Sequence, residues 1–408
     1  MKKLYTKSNV LKWLTIFVFS LLFINCFSQQ YSQSWKDLNY AGDTMIYHRL
    51  DIYLPEVEKP AYPAVVLIYG SAWFGNNLKG TDLATLGKAL LDAGFAVVTP
   101  NHRSSMDAKY PAQINDIKAV VRFIRANAVV YQIDTSFIGI TGSSSGGHLA
   151  TLAGTSGFVK QYIVGSATAD IEGQVGENLT YSSSVDAVVD WFGPTDFLVM
   201  DSCGSSMVHN APDSPESSLI GGPIQDNKDK CALANPITYV DANDPPFLIL
   251  HGDADPLVPH CESELLFNVL QIANVSSQFV LVPNAQHGPG LFVETYFKMM
   301  TDFFLKESGI TRVSTGDGNE LINFSVSQNY PNPFNPTTTI SFTLPVKSFV
   351  TLEILDSLGQ EVSTLISQEM PPGIYSRQWN AEGLASGIYF FQLKAGSYIE
   401  TKKLVLIR

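Results

Sequence analysis

FIGITGSSSGGHLATLAG, residues 137–154, places three serines between an apolar run and a second, differently spaced apolar stretch. A serine patch flanked by glycines is ordinarily a loop. FIGIT (137–141), however, is nearly continuous in apolar character and β-branched, as expected of a strand buried on both faces. HLATLAG (148–154) looks like a helix. A strand that turns sharply into a helix needs small residues around the turn. The GxSxG spacing fits one register only: Gly142, Ser144 and Gly146. In such a turn Ser144 stands exposed, and the helix beginning near Ser145 points free N–H groups toward it. The spacing alone is a weak signal; the flanking elements give it weight.

The strand pattern recurs along the chain. AVVLIYG (64–70), FAVVTP (95–100), AVVDWFG (187–193) and FLILHGD (247–253) all run apolar and end in Gly, Pro or Asp. Helix patterns lie between them, in DLATLGKALLDAG (82–94) and QINDIKAVVRFIRANA (113–128). In the second, Ile114, Ile117, Val120, Val121 and Ile124 share one face. This alternation predicts an α/β fold, a mostly parallel sheet flanked by helices, over residues 29–308. A stretch rich in Ser, Pro, Gly and Asp, about 200–235, interrupts the rhythm and is expected to form a cap insert over a site. After a linker at 309–323 the helix patterns vanish. Period-two segments such as VTLEIL (350–355) and YFFQLK (389–394) predict a small β-sandwich over 324–408. Trp379 is the only tryptophan there to offer a sugar platform, were the tail a carbohydrate-binding module.

The N-terminus predicts an export signal over residues 1–28. Lys2, Lys3, Lys7 and Lys12 precede the apolar run Trp13 to Ile24, and small residues follow up to Ser28. The run is short of the roughly 20 residues that span a membrane. Removing the signal leaves Cys203, Cys231 and Cys261, hence at most one bridge and an odd thiol. A Cys203–Cys231 bridge, closing a loop of roughly thirty residues, is one pairing an oxidising compartment would permit. No CxxC spacing appears, so no metal is assigned. The net charge of −12, without a Lys/Arg cluster beyond the N-terminus, argues against nucleic acid as a partner.

An unaided serine is a poor nucleophile; it needs a base, and the base needs an orienting acid. Seven histidines are available. His287, in PNAQHGPG (283–290), follows the apolar run FVLV (279–282) and occupies a Gly- and Pro-flanked loop, where a sheet of this kind presents its base. His148 is expected to pack or cap, and His251 to be structural beside a turn; His48, His102, His209 and His260 have no distinctive setting. For the acid, HGDADPLVP (251–259) offers Asp255, with Asp253 supporting the turn and Asp196, in FGPTDF (192–197), as a competitor. Charge developing on a carbonyl oxygen needs preorganised N–H donors, each often worth about 3–4 kcal/mol. Ser145 supplies one, and the loop YGSAWFG (69–75) the other, through Ser71 or Ala72. Trp73 and Trp191 are expected to line the substrate pocket.

YHRLDIYLP (47–55), YGSAWFG, NHRSS (101–105), GSSSGGHLA (142–150), HGDADPLVP and His287-Gly288 together make residues 43–305 resemble the α/β-hydrolase fold. They are most similar to hormone-sensitive-lipase-like and bifunctional acetylxylan/feruloyl esterases. The resemblance places the nucleophile, acid and base on Ser144, Asp255 and His287, and the chain order agrees. It implies a cofactor-free ester hydrolase acting on short-chain acyl, acetyl or feruloyl esters linked to polysaccharides. A serine peptidase of the same fold, a polyester or lipid esterase, and a non-catalytic surface binder are the alternatives. The chain departs from the family where relatives read HGGGW and it has Tyr69-Gly70-Ser71-Ala72-Trp73, and where Ser145 replaces a common alanine. NYPNPFNPTTTISFTLP (329–345), GLASGIYFFQLKAG (383–396) and KKLVLIR (402–408) resemble the C-terminal sorting domain of type IX secretion. That implies the secretion machinery as a partner, and release or attachment at the cell surface.

Overall fold

The computed structural model describes residues 31–309, 325–326, 328–344, 348–357, 359–371, 373–396 and 398–407. The expected signal peptide and nearly all of the expected linker lie outside these residues. The chain divides into two compact units, Met1–Thr311 and Arg312–Arg408.

The first unit holds strands β1 (Gln33–Asn39), β2 (Arg49–Leu54), β3 (Tyr62–Ile68), β4 (Ala96–Pro100), β5 (Ile133–Ser143), β6 (Gln161–Val164), β7 (Ala167–Asp170), β8 (Ala187–Trp191), β9 (Phe247–Gly252) and β10 (Ser277–Val282). Eight of them form one sheet in the order β1-β2-β4-β3-β5-β8-β9-β10. The strands from β4 to β10 run parallel, and β1 and β2 pair antiparallel at one edge. The continuous apolar runs are explained by burial of alternate residues on opposite faces. On one face lie Ala64, Val66 and Ile68 of β3, Ile138 and Ile140 of β5, and Phe247 and Ile249 of β9. On the other lie Val65, Leu67, Val189, Leu248 and Leu250.

Helices cover both faces. They are α1 (Lys88–Asp92), α2 (Ala112–Ala126), α3 (Ser145–Thr155), α4 (Pro215–Ile220), α5 (Lys228–Ala234), α6 (Cys261–Ile272) and α7 (Glu294–Glu307). Ile114, Ile117, Val121, Leu149, Leu152, Leu266 and Leu270 bring α2, α3 and α6 onto the first face. Leu90, Met300 and Phe304 bring α1 and α7 onto the second. Each such aliphatic or aromatic side chain contributes about 1.5–3 kcal/mol on full burial. The helix expected at 82–94 begins instead with a π-helical turn, Leu83–Gly87, where Gly87 weakens regular winding. The antiparallel pair β6–β7 was not anticipated. Its signal was Gly165-Ser166 between two short apolar runs, with Gly165 at φ 54° supplying the tight turn.

The 200–235 segment is less irregular than its composition suggests. It folds into a 3-10 turn, Met200–Cys203, and then α4 and α5. Ser214 caps α4, its Oγ accepting the Ser217 N–H at 3.0 Å. The expected cysteine pairing is corrected here: Cys203 is bonded to Cys261, and Cys231 is free and buried. The helical turn of α5 carries Cys231 into the core beside Leu233 and Ile224, whereas Cys261 opens α6 with its Cα 6.2 Å from that of Cys203. The bridge closes a separation of 58 residues and should stabilise the unit by about 3–4 kcal/mol. Reduction, or the double substitution Cys203→Ser/Cys261→Ser, is expected to lower the melting temperature by several degrees, roughly. Cys231→Ser should leave the response to reductant intact, which thermal melts with and without dithiothreitol would check.

In the second unit the strands are β11 (Ser325–Val326), β12 (Thr337–Leu344), β13 (Ser348–Leu355), β14 (Glu361–Met370), β15 (Gly373–Asn380), β16 (Gly387–Ala395) and β17 (Tyr398–Leu406). They form two antiparallel sheets, β11-β12-β15 and β14-β13-β16-β17. Alternate residues such as Val350, Leu352 and Ile354 of β13 meet Ile340 and Phe342 of β12 in one core, as in a β-sandwich. Trp379 is part of that core, packed between Phe334 and Tyr389, and so presents no sugar platform.

Candidate active site

The turn from β5 into α3 is as sharp as the glycine spacing implies. Ser144 sits at φ 55° and ψ −124°, a region that costs a non-glycine residue about 1–3 kcal/mol. A Cβ on Gly142 would come within 2.4 Å of the Gly146 carbonyl oxygen, and one on Gly146 within 2.3 Å of the Ile68 carbonyl oxygen. Both positions therefore require glycine. The turn is held from the side by the Ser144 N–H, which donates to the Trp191 carbonyl at 2.9 Å.

Asp255 and His287 come from the loops after β9 and β10, neighbours in the sheet. The two loops are stitched together where they leave the strands. The N–H groups of Asp253 and Ala254 donate to the Val282 and Ala285 carbonyls, each at 3.0 Å, and the Asn284 N–H donates to Asp253 Oδ1 at 2.6 Å. That stitching brings His287 Nδ1 to 2.7 Å from Asp255 Oδ2. The Asp255 side chain is fully buried, and its Oδ1 accepts the N–H groups of Leu257 (2.8 Å) and Val258 (3.0 Å). Burial alone would raise its pKa. Hydrogen bonds from His251 and His287, the charge of His287 and the Leu257 N–H outweigh burial and hold the carboxyl well below the usual carboxylate range. The Phe192 ring, directly after the Trp191 carbonyl that anchors Ser144, lies 4.6 Å from the His287 ring. Ser144 and the Asp255–His287 pair thus converge on the end of β8. This is the carboxyl edge of the parallel strands, where open α/β sheets bind ligands.

The competing acids are engaged elsewhere. Asp196 Oδ1 accepts from Asn235 Nδ2 (2.8 Å) and the Leu198 N–H (3.0 Å), and Asp253 braces the stitched loops. His251 does more than support a turn, for its Nε2 lies 3.4 Å from Asp255 Oδ2 while Nδ1 meets Ser263 Oγ at 2.7 Å. Its position four residues before Asp255 was the available signal. The insert buttresses the same acid loop: Ser205 Oγ donates to the Leu257 carbonyl (2.8 Å), and the Ser206 N–H to the Pro256 carbonyl (2.9 Å). Cys203, Cys261 and Glu262 form the one cluster of metal-type donors among the described residues, and both sulfurs are tied up in the disulfide.

Three expectations for the pocket are corrected. Trp191 is fully buried because it is in phase with Ala187 and Val189 along β8, so it enters the core beside Phe292 and Phe297. Trp73 is 2% exposed and packs against His148 and Phe197 in the opposite core. Neither can line a substrate pocket. Ser71 cannot serve as an oxyanion donor as arranged, because its N–H is spent on Ser145 Oγ at 2.9 Å. The hydroxyl that replaces the family's usual alanine thus ties the turn at 71–74 to the first residue of α3. In that turn the Phe74 N–H donates to the Ser71 carbonyl at 3.0 Å. Ala72 (φ 50°) and Trp73 (φ 60°) are both left-handed, the positive pair of a type I′ turn, at about 1–2 kcal/mol each for such residues.

Beneath the elbow lies Asp190, fully buried, with Oδ1 accepting the Gly193 N–H at 3.0 Å. Burial pushes its carboxyl up to about 7 against that hydrogen bond. Burial likewise pushes Glu262 up to about 8, opposed by the Asp196 and Thr195 N–H groups. Such a group favours the folded state fully below its unfolded pKa of about 4, and the advantage is lost as pH rises through the folded value. Asp190→Asn is therefore expected to remove part of the decline in stability between about pH 4 and pH 7, with Asp244, which burial also pushes up to about 7, and Glu262 contributing alongside it. Urea midpoints across that range would show it; a decline as steep as in the parent protein would contradict it.

The BD-FAE family matches residues 50–270, and the secretion system C-terminal sorting domain matches residues 328–407. Esterase LipQ of Mycobacterium tuberculosis is 28% identical over 277 residues, 67% of this chain and 62% of its own length. The probable carboxylic ester hydrolase LipM of the same organism is 30% identical over 257 residues, 62% of this chain and 54% of its own. The chain thus matches little more than half the length of these curated relatives. Among solved structures, a truncated form of a carbohydrate esterase from gut microbiota is 51% identical, with a TM-score of 0.67, covering 69% of this chain and 98% of that one. A bifunctional GH43-CE protein of Bacteroides eggerthii is 55% identical, with a TM-score of 0.66, covering 68% of this chain and 35% of that one.

Proposed function

The chain belongs to the BD-FAE family, its first unit an esterase domain and its tail a secretion sorting domain, and from that premise we propose that the whole protein is an exported serine esterase working through an acyl-enzyme. The sorting domain directs it out of the cell, to be released or held at the surface. The observation that carries the mechanism is the 2.7 Å bond between His287 Nδ1 and Asp255 Oδ2, beside an elbow that holds Ser144 at φ 55°.

In this mechanism Ser144 Oγ attacks the ester carbonyl while His287 Nε2 takes the hydroxyl proton. Asp255 holds the Nδ1–H of His287, fixing the tautomer and stabilising the imidazolium that forms. The N–H groups of Ala72 and Ser145 receive the developing oxyanion, Ser71 being engaged with the Ser145 hydroxyl. Collapse of the tetrahedral intermediate breaks the ester C–O bond, and His287 returns the proton to the departing alcohol. Water, deprotonated by the same imidazole, then releases the acid and restores Ser144. No cofactor enters the cycle.

The substrates are acyl esters of polysaccharides, acetyl or feruloyl in kind. Export toward extracellular polymers and the similarity to a carbohydrate esterase and to a GH43-CE protein support that choice. A panel of p-nitrophenyl esters of increasing acyl length, acetylated xylan, methyl ferulate and an aminoacyl p-nitroanilide tests it. Short p-nitrophenyl esters and at least one of the two carbohydrate-type esters should be cleaved, and the anilide should not. Cleavage of the anilide in preference to every ester would favour a peptidase. Cleavage of p-nitrophenyl esters alone would overturn the carbohydrate assignment.

A further inference from the structure

The type I′ turn that carries Ala72 is built from residues that resist it, so its conformation has to be imposed from outside. One tie is the Ser71 N–H to Ser145 Oγ bond. A second reaches deeper. Trp73 Nε1–H donates to His148 Nδ1 at 3.3 Å, and His148 Nε2 lies 2.9 Å from the Ala234 carbonyl oxygen. The two rings stand at 86° with centroids 5.1 Å apart, and Phe197 packs on both. Trp73 and His148 are buried, at 2% and 0% exposure. His148 stands on α3, one turn beyond Ser144, and its N–H donates to the Ser144 carbonyl at 3.0 Å. Ala234 is the last residue of α5, in the insert.

The bond directions fix the chemistry of the ring. An indole N–H can only donate and a carbonyl can only accept, so His148 accepts at Nδ1 and carries its proton on Nε2. A second proton on Nδ1 would leave the indole N–H facing another donor. Burial, with only the Ala234 carbonyl opposing it, lowers the His148 pKa to about 4, consistent with the neutral ring that the geometry requires.

We propose that His148 is a positioning residue for the oxyanion turn: through the relay Ala234 C=O, His148, Trp73 Nε1–H, the insert sets where the Ala72 N–H points relative to Ser144. The relay links three segments, far apart in sequence, that must agree within a fraction of an ångström. A packing residue could fill the same volume without a polar atom. Here both ring nitrogens are used, and Trp73 itself is the second left-handed residue of the turn. The proposal rests on Ser144 being the nucleophile, so the Ser144→Ala protein is carried through every assay.

The decisive variant is Trp73→Phe, which keeps an aromatic ring and deletes the donor. It is expected to lower kcat for p-nitrophenyl acetate about ten- to a hundredfold, as misplacement of the catalytic geometry does. KM should stay within about twofold, because the loss falls on the transition state. His148→Leu should show the same split, and the double variant should be no worse than His148→Leu alone, since Trp73→Phe removes a bond that His148→Leu has already broken. His148→Asn, whose Oδ1 can still accept from the indole but whose shorter side chain gives up the Ala234 carbonyl, should recover part of the rate lost in His148→Leu. Should His148→Leu fail to fold, Trp73→Phe and His148→Asn decide the matter. Unchanged kcat in folded Trp73→Phe, or equal losses in His148→Asn and His148→Leu, would overturn the proposal. Hydrolysis retained in Ser144→Ala would instead overturn the reading of the nucleophile.

Discussion

Ser144→Ala is expected to lower kcat for p-nitrophenyl acetate by about a millionfold, which takes hydrolysis to background. The substitution removes one oxygen and leaves the Cβ, the backbone and the two required glycines in place, so the fold should survive it. The strained φ of 55° is imposed by Gly142, Gly146 and the Ser144 N–H to Trp191 carbonyl bond, none of which involves the hydroxyl. Circular dichroism and melting temperature should therefore stay close to those of the parent protein. Loss of rate without loss of fold isolates the nucleophile from the scaffold. The comparison is stringent, because Ser143 and Ser145 flank the substituted position. Ser143 Oγ faces Asp82 at 3.4 Å, and Ser145 Oγ is taken by the Ser71 N–H, so neither is placed to substitute for it.

Asp255→Asn should cost about ten-thousandfold in kcat with the site geometry preserved. An aspartate accepts from His287 Nδ1–H and leaves Nε2 bare to take the serine proton. An asparagine turned to donate toward Nδ1 forces the opposite tautomer, with the proton already on Nε2. The same substitution removes a pH-linked source of stability. Asp255 has a folded pKa below its unfolded value of about 4. Its contribution is present above that value and fades as pH falls through the folded one. The variant should thus lose stability at neutral pH and show a shallower acid limb. Asp196→Asn provides the control, since Asp196 is bonded to Asn235 and Leu198 rather than to a histidine. A large loss of rate there, with little in Asp255→Asn, would reassign the acid.

The sheet was legible because burial on two faces leaves a mark in one dimension: five apolar runs each became a parallel strand. The elbow was legible because close backbone approach leaves only glycine at two fixed positions. The meeting of Asp255 with His287 followed from both loops leaving neighbouring late strands at the same edge. Other features depend on information that spacing does not hold. Trp191 and Trp73 stand next to site residues in the sequence, yet strand phase sends one to a core, and the other packs on His148 and Phe197 in the opposite core. The partner of Cys203 is set by which helix lies against the insert, and Cys261 is more than twice as far from it along the chain as Cys231. The Ser71–Ser145 bond joins residues 74 apart. Its only trace in the sequence is that both positions depart from the family pattern, and the two departures turn out to touch.

The central claim is that one serine at the β5–α3 elbow carries the covalent step, and a fluorophosphonate tests it most directly. Such a probe phosphonylates only a serine whose base is engaged and whose oxyanion donors are in place. Treating the folded protein and mapping the adduct by peptide mass spectrometry should find a single modification, on Ser144, rising in proportion to the loss of esterase activity. Full inactivation with the adduct on a different serine, or esterase activity that persists after Ser144 is quantitatively modified, would contradict the account.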